Sequence, residues 1–552
     1  MSSPLERVPR DLLQYIARLT VSASPFESLT NLLHLLLTNS TIYHQLSVQH
    51  SPHLYARVFQ LRFDTVAPRR RLHASLLTDS SLAGELILRC RLLRRIRRRD
   101  LTGLDIEQDM WTLYWLILEN ETLNGAHLMR AGSSEYLLEL IRHRLRQGST
   151  EEQFMDISHE ALSLALWSYC LSVSSRDIAD LTPEVVQELL ALIRPVAMST
   201  HKDFALNPSP NPFHLPKSRS PPAREQQPCS IFPCNRPDCS NDIFHYSRKW
   251  HLRCPDVLSA AIIMTFALKE IVPLQVPPHL PLDRASAIAQ NRAGPTMVDY
   301  RALATCRTPL FNDPIAEPSP QPNSSAMCLN LPRSTRLEED FSRMALVSPN
   351  ALIYGASYTP GMLSGLWEGT FMICPIRSIG ANTSNSPFTE DFVGRKPMYC
   401  QMTEYMCSGQ HVPIPTESHE PFNWDYHPNR LLPIKGGFQV SSKIFHYEKL
   451  DATTTRLLAR REMNYDVKDI LVLGETPDVQ EEAWGGYRFA GKVRLSDGFI
   501  TLKRVSKDIL DDPPWLFEGY LHYGAAFVGT WRTHEQHVRN ASAWADGFIH
   551  DG

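Results

Sequence analysis

The hydrophobic period changes along the chain, so no single kind of secondary structure can satisfy both ends. Through residues 1–200 leucines recur at intervals of three and four with almost no glycine between them, which is the spacing of amphipathic helices. From about Asn350 glycine and aromatic residues become frequent and the period falls to two. Tyr487–Leu495 is the clearest case. Tyr487, Phe489, Val493 and Leu495 alternate with Arg488, Lys492 and Arg494, as in a strand with one face in a core. Ser496-Asp497-Gly498 then marks a turn into Phe499–Val505, a hairpin signal. Trp515–Tyr523 and Ala526–Arg532 read as further strands. The expected fold class is α+β, with helices first and an antiparallel meander second. Closing the meander into a β-barrel removes its exposed edges.

Proline separates these two regions. The chain holds 41 prolines and 25 glycines in 552 residues, so long irregular connections are expected. The reading is residues 1–60 and 61–202 helical, 203–256 an irregular segment containing Pro, Cys and His, and 257–272 a buried helix. Residues 273–349 form a Pro-rich connection and 350–552 the β-rich domain. Ten prolines between Pro273 and Pro322 argue against regular helix or central strand there. The most apolar run, Val257–Leu268, is 12 residues long, too short to span a bilayer. Met1–Arg7 shows no basic start leading into an apolar run, so no secretory leader is expected. Eleven cysteines, an odd number, then read as reduced thiols or metal ligands. The expected location is cytoplasmic and/or nuclear, away from membranes.

Net charge is −3, which gives no reason to expect nucleic acid as a partner. The charge is unevenly spread, however. Residues 1–100 carry fifteen arginines and no lysine against seven carboxylates, while residues 101–200 carry six arginines against fifteen carboxylates. Opposed helical layers would neutralise each other, and the run of arginines from Arg89 to Arg99 is expected to meet the acidic block. Nuclear import or an acidic partner is the alternative use for that run.

Near the N-terminus, Pro9 suits a first helical turn and Asp11 a positive helix end. Leu12, Leu13, Ile16 and Leu19 form one apolar stripe. A second helix carries Leu29, Leu32, Leu33, Leu36 and Leu37 on one face, at helical spacing. Periodicity alone describes an ordinary helical hairpin. The order Val8-Pro9-x-Asp11-Leu12-Leu13-x-x-Ile16, with a Leu-rich helix running into Thr38-Asn39-Ser40-x-Ile42-Tyr43, resembles the F-box. In that family Leu-Pro-x-Glu-Leu-Leu-x-x-Ile-Leu opens the domain and a Leu helix leads to Cys-Arg-x-Trp. Here Val8, Ala17, Asn39-Ser40 and Tyr43 depart from the pattern. The resemblance covers about 50 residues and implies that Val8, Pro9, Leu12, Leu13, Ile16, Leu32 and Leu36 bind a Skp-type adaptor and through it a cullin.

At the other end, Leu363-Ser-Gly365-Leu-Trp367-Glu-Gly369-Thr-Phe371 and Gly529-Thr-Trp531 share a Gly-x-Trp unit. A Trp flanked by glycines fits the base of a small barrel, where the indole plugs the end and Gly lets strands approach. Trp367 in the first strand and Trp531 in the last are expected to make those strands neighbours. Both indoles also read simply as core. With Asp469–Thr476, Ala483–Gly498, Phe517–His522 and Phe527–Trp531, the region resembles the C-terminal barrel of a group of fungal F-box proteins. That barrel is similar to the lipocalin-like (calycin-like) substrate domain of the F-box receptor for D-type cyclins. The resemblance implies the substrate receptor of an SCF-type (Skp adaptor–cullin–F-box) ubiquitin ligase, a non-catalytic subunit in protein ubiquitination. Its barrel would bind a target protein through Trp367, Trp484, Tyr487 and Trp531, with Trp484 in a loop at the barrel mouth.

Two alternatives stay open at this point. A calycin-like barrel can instead hold a small apolar ligand with no ligase role, and its interior discriminates, since a wide dry cavity favours a ligand and a filled core favours a protein-binding rim. An enzyme on the barrel is the other. The chain has no Gly-x-x-x-x-Gly-Lys-Ser/Thr, Gly-x-Ser-x-Gly, His-Glu-x-x-His or Gly-x-Gly-x-x-Gly, and nothing argues for catalysis. No cofactor is expected, save a structural zinc on Cys229, Cys234, Cys239 and Cys254, with His245 and His251 nearby. The x4 spacings fall short of paired zinc knuckles, and free thiols are the other reading.

Overall fold

The computed structural model describes residues 7–22, 25–26, 29–103, 105–147, 159–197, 241–252, 254–314, 332–345, 356–374, 394–414, 431–440, 442–451, 466–495, 497–508, 514–533 and 545–551. They fall into two units. One comprises Met1–Ser172, Pro233–Pro255 and Pro314–Gly355, and the other Val173–Phe232, Asp256–Asp313 and Ala356–Gly552.

The first unit is helical. It runs α1 (Arg10–Ser22), α2 (Thr30–Leu36), α3 (Ser40–Leu46), α4 (Pro52–Arg62), α5 (Val66–Arg71), α6 (Asp79–Arg98), α7 (Ile106–Leu118), α8 (Leu123–Ala131), α9 (Ser133–Gln147) and α10 (His159–Ser172). Helix α7 reads Met-Trp-Thr-Leu-Tyr-Trp-Leu-Ile-Leu and is buried throughout that run, because α6, α8 and α10 pack around it. A helix apolar on all sides belongs in the middle. Some arginines of α6 and of its C-terminal end meet acidic residues. Arg91 and Arg95 bond Asp109 at 3.1 and 3.0 Å, and Arg99 bonds Glu139 at 2.6 Å. The charge asymmetry is met in part within the unit, while Arg94, Arg97 and Arg98 are exposed.

The segment 203–256 is not irregular throughout. Strands β1 (Asn241–His245) and β2 (Arg248–Leu252) form an antiparallel hairpin with Ile243 opposite Trp250. Its turn places Tyr246 and Ser247 at φ 46° and 55°, a strained choice for residues with a Cβ. Tertiary bonds hold it there, since the Tyr246 N–H donates to Glu85 Oε1 at 2.7 Å. Gly84 on α6 makes room, because a Cβ there would lie 2.7 Å from Ser247 Oγ. A mid-helix glycine ordinarily weakens a helix, and here it admits the turn.

The second unit starts with α11 (Ser175–Ala179), α12 (Pro183–Ala197) and α13 (Val257–Lys269). The buried helix expected near 257–272 is α13, with every residue from Ser259 to Leu268 buried. It packs on α12 on one side and on the sheet on the other. Helices α14 (Arg284–Ala289) and α15 (Met297–Thr305) correct the expectation of no helix between Pro273 and Pro322. The prolines punctuate the segment instead of filling it. Both helices are capped, by Asp283 and Thr296, in stretches without proline.

The sheet is antiparallel and curled. Its strands are β3 (Gly365–Cys374), β4 (Gly394–Ser408), β9 (Val467–Glu475), β10 (Tyr487–Arg494), β11 (Phe499–Ser506), β12 (Trp515–His522), β13 (Ala526–Thr533) and β14 (Ala545–Asp551). Each pairs with the next in this order, and β14 pairs back onto β3. Between β4 and β9 lie β5 (Leu432–Ile434), β6 (Gly437–Val440) and β7 (Lys443–His446), a separate three-stranded sheet, and β8 (Glu448–Lys449), which edges β4. The inner face carries Trp367, Phe489, Val493, Leu502, Phe517, Phe527 and Trp531 in one core. A second core on the outer face joins Leu471 and Ala490 to Phe438, Phe445 and Tyr447 of the insertion.

Trp531 does not neighbour the first strand. It lies opposite Phe517 of β12 and Asp546 of β14, and β14 intervenes before β3. The sequence reading ended the meander one strand early, because Ala545–Asp551 alternates weakly and follows a polar stretch. Gly529 meets Gly519 across β12–β13, where a Cβ on either would crowd the Phe517 ring.

Candidate functional site

Helix α1 has two apolar faces. Leu13, Ala17 and Val21 are fully buried, at spacing i, i+4, i+8, and hold α1 to α2, α3 and α4. Leu12, Tyr15, Ile16 and Leu19, at i, i+3, i+4 and i+7, are 54, 52, 38 and 50 % exposed. The stripe expected from the sequence is thus split. Leu13 turns inward, while Leu12, Ile16 and Leu19 face solvent together with Tyr15.

Polar bonds set this rotation. Arg10 donates to Ser51 Oγ at 3.1 Å and to the His50 carbonyl, and Gln14 Nε2 donates to Ser51 Oγ at 3.0 Å. Gln14 Oε1 also meets His53 Nε2 at 2.8 Å. These contacts fasten one flank of α1 to the start of α4.

Helix α2 divides its leucines in the same way. Leu32 is buried and Leu36 half-buried, while Leu33 and Leu37 are exposed. Val8 is half-buried and Pro9 exposed, and the Pro9 carbonyl accepts from Leu13 N at 3.0 Å, opening α1. Asn39 caps α3 by accepting from the N–H groups of Thr41 and Ile42 at 2.6 and 3.3 Å. Ile42 is buried behind it and Tyr43 exposed. Exposed apolar residues in a row on one helix mark a surface that another molecule covers.

The four aromatic residues expected to bind a target are not gathered in one place. Trp367 is 2 % exposed, its Nε1 donating to the Leu363 carbonyl at 2.8 Å and its ring 6.0 Å from Phe527. Trp531 is 1 % exposed and packs on Phe517 and Phe489. Both indoles serve the core. Trp484 does not lie in a loop but ends helix α16 (Asp478–Trp484), half-buried, with its ring 5.3 Å from Tyr300. The acidic first turn, Asp478 and Glu481, favours that helix. Tyr487 is half-buried at the start of β10.

Sequence reading missed Arg504, which touches two of the four. Its guanidinium carbon lies 4.4 Å from the Tyr487 ring centroid, 5.1 Å from Trp515 and Trp531, and 5.5 Å from Phe371, cation–π distances. The signal was present, for Arg504 continues the inward series Ile500 and Leu502 on β11.

Beyond Trp367, the Glu404 carboxylate accepts from the N–H groups of Gly361 and Leu363 at 2.7 and 2.6 Å. It ties the loop before β3 to β4. Burial pushes this carboxyl up to about 7 against the pull of those hydrogen bonds.

Of the four cysteines considered for zinc, Cys229, Cys234 and Cys239 lie outside the described residues. Cys254 Sγ donates to the Glu160 carbonyl at 3.8 Å. Among the described residues no group of three or more His, Cys, Asp and Glu could hold a metal ion. His245 is committed elsewhere, to Glu85 and Glu119 inside the helical unit.

Among the described residues no helix is long and apolar enough to cross a membrane. Comparison of the chain with protein families, with curated proteins and with solved structures finds no match.

Proposed function

We propose that this chain is the substrate receptor of an SCF-type ubiquitin ligase, acting in the cytoplasm and/or nucleus. The α1–α2 surface docks a Skp-type adaptor, and through it a cullin, while the curled sheet, read as a lipocalin-like barrel, presents a target protein. The observation that carries the reading is the second apolar face of α1, Leu12–Tyr15–Ile16–Leu19, exposed after Leu13, Ala17 and Val21 have filled the core. A helix that only stabilised its own unit would need one such face. The F-box resemblance of Val8–Ile16 says which kind of partner fits it.

In this role the chain performs no chemistry. It raises the effective concentration of target lysines near a ubiquitin-charged enzyme held by the cullin. The inner face of the sheet, occupied by Trp367, Phe489, Phe517, Phe527 and Trp531, favours a protein held at the rim over a small apolar ligand.

The test is co-purification. The wild-type chain is expected to retain a Skp-type adaptor, and the double variant Leu12→Asp, Ile16→Asp to lose it with an unchanged circular dichroism spectrum. Equal recovery of adaptor by both proteins would refute the docking role.

A further inference from the structure

We propose that the outer edge of β7 takes up an acidic, extended peptide as an added strand. This deepens the target-binding half of the reading above and does not depend on adaptor docking.

Among the described residues β7 pairs with β6 alone, in the register Val440–Lys443, Gln439–Ile444, Phe438–Phe445 and Gly437–His446. One step further, Tyr447 N donates to the Gly436 carbonyl at 3.2 Å. Bonded and non-bonded pairs alternate in an antiparallel ladder. Lys443 and Phe445 therefore direct their backbone groups to β6, and Ile444 and His446 direct theirs to the outer edge. Such an edge is a template for another strand.

A groove of about 410 Å³ adjoins this edge, lined by β7 and by Gln410, His411 and Val412. Ile444 and Val412 expose apolar side chains into the solvent there, and Phe445 anchors the strand in the outer-face core. The His411 and His446 rings lie 4.9 Å apart. Among the described residues Lys443, His411 and His446 line the groove and no carboxylate does. Backbone donors and acceptors call for an extended chain. Ile444 on one face of β7 and Lys443 on the other call for apolar side chains on one face of the peptide and carboxylates on the opposite one.

The experiment is fluorescence anisotropy with the full chain and no adaptor present. The probes are a labelled peptide of about ten residues alternating Glu and Val, its Lys–Val counterpart, and a Glu–Val peptide N-methylated at alternate residues. The Glu–Val peptide is expected to bind saturably and the Lys–Val peptide at least about tenfold more weakly. The N-methylated peptide, unable to complete a ladder, should not bind. Lys443→Glu should weaken Glu–Val binding about tenfold. Ile444→Pro, which removes an edge donor and leaves the β6 ladder intact, should abolish it. If Ile444→Pro does not fold, Lys443→Glu and the methylated peptide still decide.

Equal binding of methylated and unmethylated peptides, indifference to Lys443→Glu, or no saturation by about 1 mM overturns the proposal. So does a concentration-dependent dimer that Ile444→Pro dissolves, which would make a second copy the occupant. Adaptor capture by Leu12 and Ile16 is measured separately, so either reading can fail alone.

Discussion

His245 Nε2 lies 2.9 Å from Glu119 Oε1, and both side chains are almost wholly buried. Around them Glu85 stands 3.4 Å from His245 Nδ1, and Arg89 reaches Glu119 at 2.5 Å and Glu85 at 3.4 Å. Tyr246 OH adds a bond to Glu119 at 3.3 Å, and the Trp115 ring stacks on the imidazole at 3.7 Å. Two carboxylates, a guanidinium and an imidazolium cancel, which is how charges persist in an interior. The cluster fastens the β1–β2 hairpin to α6 and to the end of α7.

The hairpin should therefore loosen on alkalinisation. Burial alone would lower the His245 imidazole, but Glu85 and Glu119 outweigh it and hold it above its ordinary value. Burial likewise opposes ionisation of Glu119, yet Arg89 and His245 bring it down to about 2. With a raised folded value, the stabilisation from His245 is complete below about 6.5 and fades as pH climbs through the folded value. Amide exchange of Ile243–Trp250 should accelerate over that climb. His245→Ala, which leaves two carboxylates facing one arginine, should cost about 3–5 kcal/mol and remove the pH effect. An exchange profile unchanged by the substitution would count against the clamp.

Glu404 has a pH signature of the same sign. Its folded value of about 7 exceeds the ordinary 4.5, so the folded state binds more protons and stability falls as pH rises between the two. Relative to Glu404→Gln, the wild type should lose about 3 kcal/mol from pH 4.5 to 7. Urea melts of both proteins at the two pH values measure the difference, and parallel losses in both would contradict it.

On α1 adjacent residues should behave differently. Leu13→Ala removes a fully buried side chain and should cost about 2–5 kcal/mol. Leu12→Ala, exposed beside it, should stay within about 0.5 kcal/mol of wild type and weaken adaptor capture. Thermal melts with parallel capture assays separate the two, and a large loss of stability from Leu12→Ala would show that its face is internal.

The tryptophans divide likewise. Trp367→Ala should cost about 3–5 kcal/mol as a core truncation. Trp484→Ala, half-buried against Tyr300, should cost roughly 1 kcal/mol and affect target binding more than stability. Equal unfolding midpoints for the two variants would argue against this assignment.

Much of the architecture is legible in the sequence, because hydrophobic period is a local property. Leucines at helical spacing marked α1, α2 and α6, alternation marked β10 and β11, and the apolar run at 257 marked α13. Features that depend on a neighbour were not. The even residues of β10 read as solvent-facing, yet Lys492 is buried, 2.7 Å from Asp469 and 2.8 Å from the Ile414 carbonyl, because the insertion between β4 and β9 folds over that face. Arg494 is buried too, paired with Asp497 at 2.7 Å and lying over the Phe499 ring.

By itself the sequence determined which segments are helical and which extended, since side-chain spacing and backbone sterics act within a few residues. It also determined that the arginine run of α6 has carboxylates to meet. Only the tertiary structure decided which of Leu12 and Leu13 is core, that β14 stands between Trp531 and the first strand, and that His245 joins two glutamates and an arginine. Each of those outcomes depends on which distant residues supply the missing contact, and burial is settled only when that contact is made.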